Sequence, residues 1–536
     1  MGPDPAVSTS TGRSVPLSPV SGFVLTAILA LGLASFGLLD TVRHSFAFRW
    51  SFFGPCAGLL GWSLAVFGVA QLRGRSLTLQ FAFRKQHYVQ ACAQAAFLLY
   101  WGWHWRTVYD SAFLIAAQVV FAYAFDMLLG LSRRDDYTLG FGPFPVIFSI
   151  NLFLWFADDW FYLQFLLVGL GFAAKEFIRW DKGGRSVHIF NPSSFPLAVF
   201  SLGLILTGTS DLTWGQDIAI SQFYPPYIYL VLFLVALPGQ YLFGVASMTM
   251  SAVVATYLFG LVYFASTGIY FFYDSYIPIA VFLGMHLLFT DPSTAPRTGG
   301  GRIMFGVLYG LSTAALYVVL GRAGVPTFYD KLLLVPVLNL SIQLLDRMAA
   351  SRWLRVFDPT RLAAVGRFPQ HRVSLALWAM VFVVMSSVQG VGDRHPGQWV
   401  PFWQGACGEG RPYACSYLAG MQLTFCRSGS GWACNEAGML QLALSRSGED
   451  QRRVDPLDAT ATLRRGCDLG FGPACQNLDS LTSGLGTFEH GPPRLEDYPI
   501  ILRGTKGPIT DHSPASLYAR ACSQGWDDTC GRPAED

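Results

Sequence analysis

"HLLFTDPSTAPRTGGGR" occupies residues 286 to 302, and the architecture turns on it. An apolar run stops at Thr290-Asp291-Pro292, a short polar, glycine-rich and basic link follows, and apolar sequence resumes at Ile303. Backbone polar groups inside a bilayer must be satisfied within the segment, so two apolar runs joined this way are expected to be helices that meet at a membrane surface.

The surrounding composition agrees. Hydrophobic residues make up 52% of the 536 residues and charged residues 13%, about half the charge share of an ordinary soluble domain. Apolar stretches of roughly 17 to 22 residues recur up to residue 391. They lie near 20–39, 50–71, 88–104, 110–131, 141–157, 159–176, 192–209, 226–243, 245–268, 274–290, 303–321, 329–346 and 373–391, which predicts about thirteen spans of an all-α, polytopic membrane bundle. The first run has a long leader carrying only Arg13 and no small-residue cleavage site, so it reads as a retained helix.

A net charge of +3 is too small for a nucleic-acid partner, and topology accounts for the cations. Arg73, Arg75, Arg84 and Lys85 share one loop, and Arg133 and Arg134 lie in the next alternate one. Lys175, Arg179, Lys182 and Arg185 follow, then Arg297 and Arg302, then a cluster from Arg347 to Arg372. The intervening loops carry only scattered cations such as Arg106, Arg322 and Lys331. The positive-inside rule therefore predicts a cytoplasmic N-terminus, and an odd number of spans sends the tail after Gly390 to the opposite side.

That tail has its own chemistry. Eight of the ten cysteines sit there, in four copies of C-x2-G-x4-C: Cys407 and Cys415, Cys426 and Cys434, Cys467 and Cys475, Cys522 and Cys530. The spacing predicts helical hairpins in which the first Cys ends one helix, Gly takes the positive-φ turn and the second Cys opens the partner. A disulfide across each mouth would compensate for a small core and needs an oxidising compartment. Metal is the weaker reading, because the pairs lack a C-x2-C knuckle and no His accompanies each. The repeats resemble Sel1-like, cysteine-rich repeats, which implies an interaction surface for a protein partner.

Within the membrane part, Asn191-Pro192-Ser193-Ser194 and Asp291-Pro292-Ser293-Thr294 place an N-cap residue before a Pro at the first helical position. Efficient capping explains both; so would helix N-termini arranged to receive a phosphate, with Arg185, Arg297 and Arg302 near in sequence. Asp126 is expected to reach toward Arg133 and Arg134, and His286 to be a structural histidine one turn before Thr290. The tryptophans of "YWGWHWRTVY" (100–109) read as an interfacial belt. Asp158 and Asp159 read as a solvated turn, and Cys56 and Cys92 as buried inert thiols. No Walker A loop, HExxH or serine elbow is present, and the sequence names no catalytic residue.

"FTDPSTAPRTGGGRIMFGVLYG" (289–310), followed by "VPVLNLSIQLLD" (335–346), resembles the RnfD/NqrB family, whose members are membrane components of the Rnf complex and of the sodium-pumping NADH:quinone oxidoreductase. "GFGPFPVIFSINLFLWFADDWFYLQF" (140–165) and "KEFIRWDKGGRSVHIFNPSSF" (175–195) are similar to its divergent, UnbU-like branch. The resemblance covers roughly residues 85 to 350. It implies a bacterial inner-membrane subunit of an ion-coupled electron-transport system, working in membrane lipid beside other electron-transport subunits, with a periplasmic tail. Four regions follow: N-terminal membrane helices (1–84), the family-like core (85–350), a cytosolic link and last span (351–391), and the exported Cys-rich domain (392–536). A transporter or channel on the same helices, and a membrane-anchored interaction scaffold, are the alternative readings.

The resemblance also implies a flavin, linked in better-known members through its phosphate to a threonine. The corresponding stretch is "GQYLFGVASMTMSA" (239–252), where Ala246 falls at the acceptor position and offers no oxygen; Thr249 lies three residues on. The expectation is thus FMN or another flavin without a covalent link. Its candidate binding residues are Asn191, Ser193, Thr290, Asp291, Thr294 and Arg302, with Thr249 as anchor only if the register shifts.

Overall fold

Among the described residues, seven helices are long and apolar enough to cross a membrane: Pro19–Phe36, Phe46–Arg73, Ala112–Arg134, Ala246–Thr267, Gly299–Arg322, Thr327–Ala349 and His371–Val388. They belong to a computed structural model that describes residues 13–181, 184, 186–351, 370–388, 394–447, 459–483, 488–503 and 506–531. The chain is mostly helical. Shorter apolar helices follow at Ser194–Thr207, Ile228–Phe243 and Ile279–Leu288, and further helices at Lys85–His104, Pro143–Asn151 and Tyr162–Phe177.

Two predicted spans are only partly helical. The run at 141–157 leaves the helix after Asn151, and the run at 274–290 becomes helical at Ile279 and passes through a π-turn at Gly284–Leu288. Hydropathy reads both as continuous because nearly every side chain around the breaks is apolar or buried; it carries no information about backbone pairing.

Small sheets qualify the all-α expectation. Arg13–Leu17 pairs antiparallel with Leu77–Phe81, which pairs in parallel with Asp136–Leu139. Arg179–Asp181 and Ser186–His188 form a separate hairpin. The three-stranded sheet draws the N-terminal segment and two of the basic loops to one end of the bundle, so the helices between them run in antiparallel pairs.

Helix packing relies on the "GVLYG" of 306–310. A Cβ at Gly306 would collide with the Met248 carbonyl and the Ser251 hydroxyl, and one at Gly310 with the Ala252 carbonyl and Thr256. Bare glycines four apart let helices Gly299–Arg322 and Ala246–Thr267 approach backbone to backbone, the small-xxx-small arrangement of membrane helices.

The tail builds its own core from Val400, Trp403, Leu418, Phe425, Trp432 and Tyr498, which also takes in Ile269 from a loop of the membrane part. All four cysteine pairs stand at disulfide distance: Cys407–Cys415, Cys426–Cys434, Cys467–Cys475 and Cys522–Cys530. Gly410, Gly429, Gly470 and Gly525 take positive φ, as the spacing predicts. Helix Ala414–Arg427 serves two hairpins at once, closing the first with Cys415 and opening the second with Cys426. The fourth motif departs from the pattern, since Cys530 follows a 3₁₀ turn at Asp527–Thr529.

The tail docks firmly. His395 lies between the rings of Tyr270 and Tyr276, with centroids 4.0 and 5.2 Å away. Gln398 Nε2 donates to the Asp274 carbonyl at 3.1 Å, and Lys506 Nζ to the Phe223 carbonyl at 3.2 Å. Burial pushes the His395 imidazole down to about 3, so it stays neutral in this contact.

Candidate functional site

The Asp291 turn is held from three sides. Its Oδ1 accepts from the Ser293 N–H at 2.9 Å, as an N-cap should, but the helix it caps is a single 3₁₀ turn, Pro292–Thr294. Its Oδ2 faces His188 Nε2 at 3.3 Å. Burial pushes the Asp291 carboxyl up, but the hydrogen bond and charge of His188, the Ser293 N–H and His87 more than offset this and leave it below the ordinary carboxylate value.

The Asn191 turn adjoins it. Asn191 Oδ1 accepts from the Ser193 N–H at 2.9 Å, the Ser193 hydroxyl at 2.7 Å and the Ser194 N–H at 3.2 Å. Its Nδ2 donates to the Leu288 carbonyl at 2.9 Å, joining the two Pro-containing turns directly. A Cβ at Gly171 would collide with the Pro192 carbonyl, so that glycine lets helix Tyr162–Phe177 close over the turn.

Helix Thr327–Ala349 clamps both. Asn339 Oδ1 accepts from the Asn191 N–H at 3.2 Å, while its Nδ2 donates to the Thr294 carbonyl at 3.1 Å. Two turns on, Asp346 accepts from the N–H groups of Arg297 and Thr298 at 3.1 and 2.9 Å and from the Thr298 hydroxyl at 2.7 Å. Thr298 in turn caps helix Gly299–Arg322. The unusual link is thus the piece of backbone that two side chains of another helix hold in register.

Arg302 extends the site to the Gly244 segment. Its Nε donates to the Pro296 carbonyl at 2.9 Å and its Nη1 to the Gly244 carbonyl at 2.6 Å. Gly244 has φ +64° and is packed against His371 and Arg302. Helix Ala246–Thr267 starts there without any side-chain cap.

The candidate residues therefore divide. Asn191, Ser193, Asp291, Thr294 and Arg302 gather at one end of the bundle, and their polar groups are engaged with protein. Thr290 is buried beside them, its hydroxyl donating to the His286 carbonyl at 3.0 Å. Thr249 lies inside helix Ala246–Thr267, fully buried, with its Oγ1 unpartnered. The Arg185 expectation falls outside the described residues. Asn339, Asp346, His188 and His371 are contributors that sequence reasoning left unassigned; the first two sit in the quoted 335–346 block and His188 in the quoted 175–195 block, whereas nothing local marks His371.

Other expectations change. Arg134 pairs with Asp136 and Glu176, and Arg133 lies over Phe177, so neither turns to Asp126. Only Trp103 of its trio faces outward; Trp101 and Trp105 stack on each other, and Trp105 stacks on Trp155 while Trp101 meets it at a tilt. His286 is structural, its Nδ1 donating to the Phe282 carbonyl at 2.7 Å. Cys56 is buried as expected, but Cys92 is exposed. Lys331 is buried against Asp330, Nζ to Oδ1 3.3 Å, rather than free in a loop.

Among the described residues no group of three or more His, Cys, Asp or Glu side chains is placed to hold a metal ion. No family model, curated protein or solved structure matches this chain.

Proposed function

We propose that this chain is a divergent relative of the RnfD/NqrB family: an electron-transport subunit of a bacterial inner membrane, carrying an exported Cys-rich interaction domain. The observation that carries the reading is the convergence of the blocks behind the resemblance on one end of the bundle. The Asn191 turn, the Asp291 turn, Arg302, the 335–346 helix and the Gly244 segment are joined there by direct hydrogen bonds.

The full topology follows from the same reading. The seven long helices and six shorter or more polar ones make thirteen crossings. The paired loops 13–17, 77–81 and 136–139 lie on the cytoplasmic side, and the tail docks on periplasmic loops near 223 and 270–276.

Flavin fits one place better than the others. The N–H groups of Ser193, Ser194 and Ser293 are already taken by Asn191 and Asp291, which argues against a phosphate at those turns. The start of helix Ala246–Thr267 has no side-chain cap, and with Arg302 beside Gly244 it offers N–H groups and a guanidinium charge to a phosphate. Ala246 has no oxygen and the Thr249 hydroxyl is enclosed, so the flavin is held without a covalent bond. When bound, it would supply one- and two-electron transfer.

The test is the absorption spectrum of the purified protein together with in-gel fluorescence after denaturation. The expected result is a flavin spectrum from the native protein, a dark denatured band, and flavin in the supernatant. A fluorescent band abolished by Thr249→Ala makes Thr249 the anchor. No flavin in either fraction turns the reading to a transporter or a scaffold, which assays of the chain lacking residues 392–536 then separate.

A further inference from the structure

A second site lies at the opposite end of the bundle, where the 152–161 segment meets helix Ala112–Arg134. A cavity of about 60 Å³ opens there, with Asp158 at its mouth, the hydroxyl-bearing residues Thr107 and Ser111 along its rim, and Trp155, Trp214 and Phe161 as walls. By volume it holds about four waters or one organic group of a few heavy atoms.

Its floor is rigid. Gln118 and Asn151 exchange two hydrogen bonds, 3.0 and 2.9 Å, and Gln164 Nε2 donates to Gln118 Oε1 at 3.2 Å. These buried carboxamides are turned on one another. Trp155 is fixed by its Nε1 donating to the Asn151 carbonyl at 2.7 Å and by stacking on Trp105.

The one charged group at the cavity is an acceptor, and the hydroxyls of Thr107 and Ser111 can accept as well as donate. Asp159 is engaged by the Ser45 hydroxyl, whereas the Asp158 carboxylate, half exposed, faces His44 at 3.7 Å. Among the described residues the hydroxyls of Thr107 and Ser111 make no hydrogen bond.

This combination selects a ligand class. An anion would meet the Asp158 carboxylate. A purely apolar group would leave that carboxylate and two hydroxyls unpaired. A bare divalent ion seeks six or more oxygens, which indole and phenyl walls do not supply. A primary ammonium takes a carboxylate, two hydroxyl oxygens and aromatic faces together.

We propose that the cavity bounded by Asp158, Thr107, Ser111, Trp155, Trp214 and Phe161 binds a primary ammonium group, carried by a small free amine or by the headgroup of a neighbouring lipid. The site is independent of the flavin reading, lying at the other end of the bundle and sharing no residue with it.

Binding of radiolabelled methylammonium to the full chain in phosphatidylcholine nanodiscs tests it. Saturable binding is expected, weakened at least about tenfold in Asp158→Asn and weakened by Ser111→Ala, with both variants melting like the parent. Equal sodium should leave it unchanged. Repeating the measurement in phosphatidylethanolamine nanodiscs identifies the source: suppressed methylammonium binding assigns the site to the lipid headgroup, and unchanged binding to a free amine. Absence of saturable binding in phosphatidylcholine, equal binding by Asp158→Asn, or displacement by equal sodium overturns the proposal.

Discussion

The side chain of Asn339 bridges two turns one hundred residues apart: it accepts the Asn191 N–H at 3.2 Å and donates to the Thr294 carbonyl at 3.1 Å. Both bonds are buried. Asn339→Leu removes both partners' contacts at once and leaves a donor and an acceptor unpaired, each costing about 1–3 kcal/mol. A large fall in the melting temperature of the purified protein is expected, against little change for Thr207→Ala at an exposed position. Equal melting of the two variants would show that the bridge contributes nothing.

Asp291→Ala should harm assembly more than Asp158→Ala. It removes the acceptor of the Ser293 N–H and the partner of His188, a cap loss of about 0.5–2 kcal/mol, while Asp158 stands half exposed at a cavity mouth. Yield and thermal stability of both variants check this, and an equal or reversed order contradicts it.

Lys331→Met strands the buried Asp330 carboxylate and should cost about 3–5 kcal/mol, whereas the double variant Asp330→Asn, Lys331→Met should recover most of the loss. A double-mutant cycle by chemical denaturation gives the coupling; strict additivity would mean that the pair does not act as a unit.

Gly306→Ala places a methyl group against the Met248 carbonyl and Ser251, so loss of the folded protein is expected. Gly54→Ala, where a Cβ meets nothing within 4 Å, should be tolerated. Expression and size-exclusion profiles of the two variants decide.

The contact between tail and membrane part should weaken with rising pH. Burial pushes the Asp274 carboxyl up to about 6, against the lowering effects of hydrogen bonds and of Lys506. A raised carboxyl binds its proton more tightly when folded, so its contribution is fullest below about 4 and is lost as pH rises to about 6. Asp274→Asn should match the parent near pH 4 and exceed it in stability at pH 7, each tenfold gain in proton affinity on folding being worth about 1.4 kcal/mol. Parallel melting curves across that range would contradict the raised proton affinity.

Non-reducing peptide mapping should return the four pairs joining Cys407 to Cys415, Cys426 to Cys434, Cys467 to Cys475 and Cys522 to Cys530. Replacing both Cys426 and Cys434 by Ala should cost about 2–4 kcal/mol of tail stability. Free thiols throughout, or labelling of the tail only from the cytosol, would refute the exported, stapled domain.

Features settled over a short length of chain could be read before any fold was known. The cysteine pairing was legible because each pair closes over a sequence separation of 8, with a glycine placed for the positive-φ turn. The Asp291 cap was legible because Asp291 satisfies an N–H two residues on. Apolar composition likewise marked helices for a bilayer, since hydropathy sums over a local window. Partners that lie across the bundle emerge only from the folded chain. Asn339 meets a residue 148 positions away, and Arg302 meets the Gly244 carbonyl 58 positions away. Hydropathy also gave no sign that Trp101 and Trp105 turn inward, that Lys331 is buried beside Asp330, or that Asp158 stands at a cavity. In a membrane protein the side chains facing lipid and those facing other helices are equally apolar, so the contrast that orients a helix in water is missing. Which face packs, and which polar group meets which, is settled only when the helices come together.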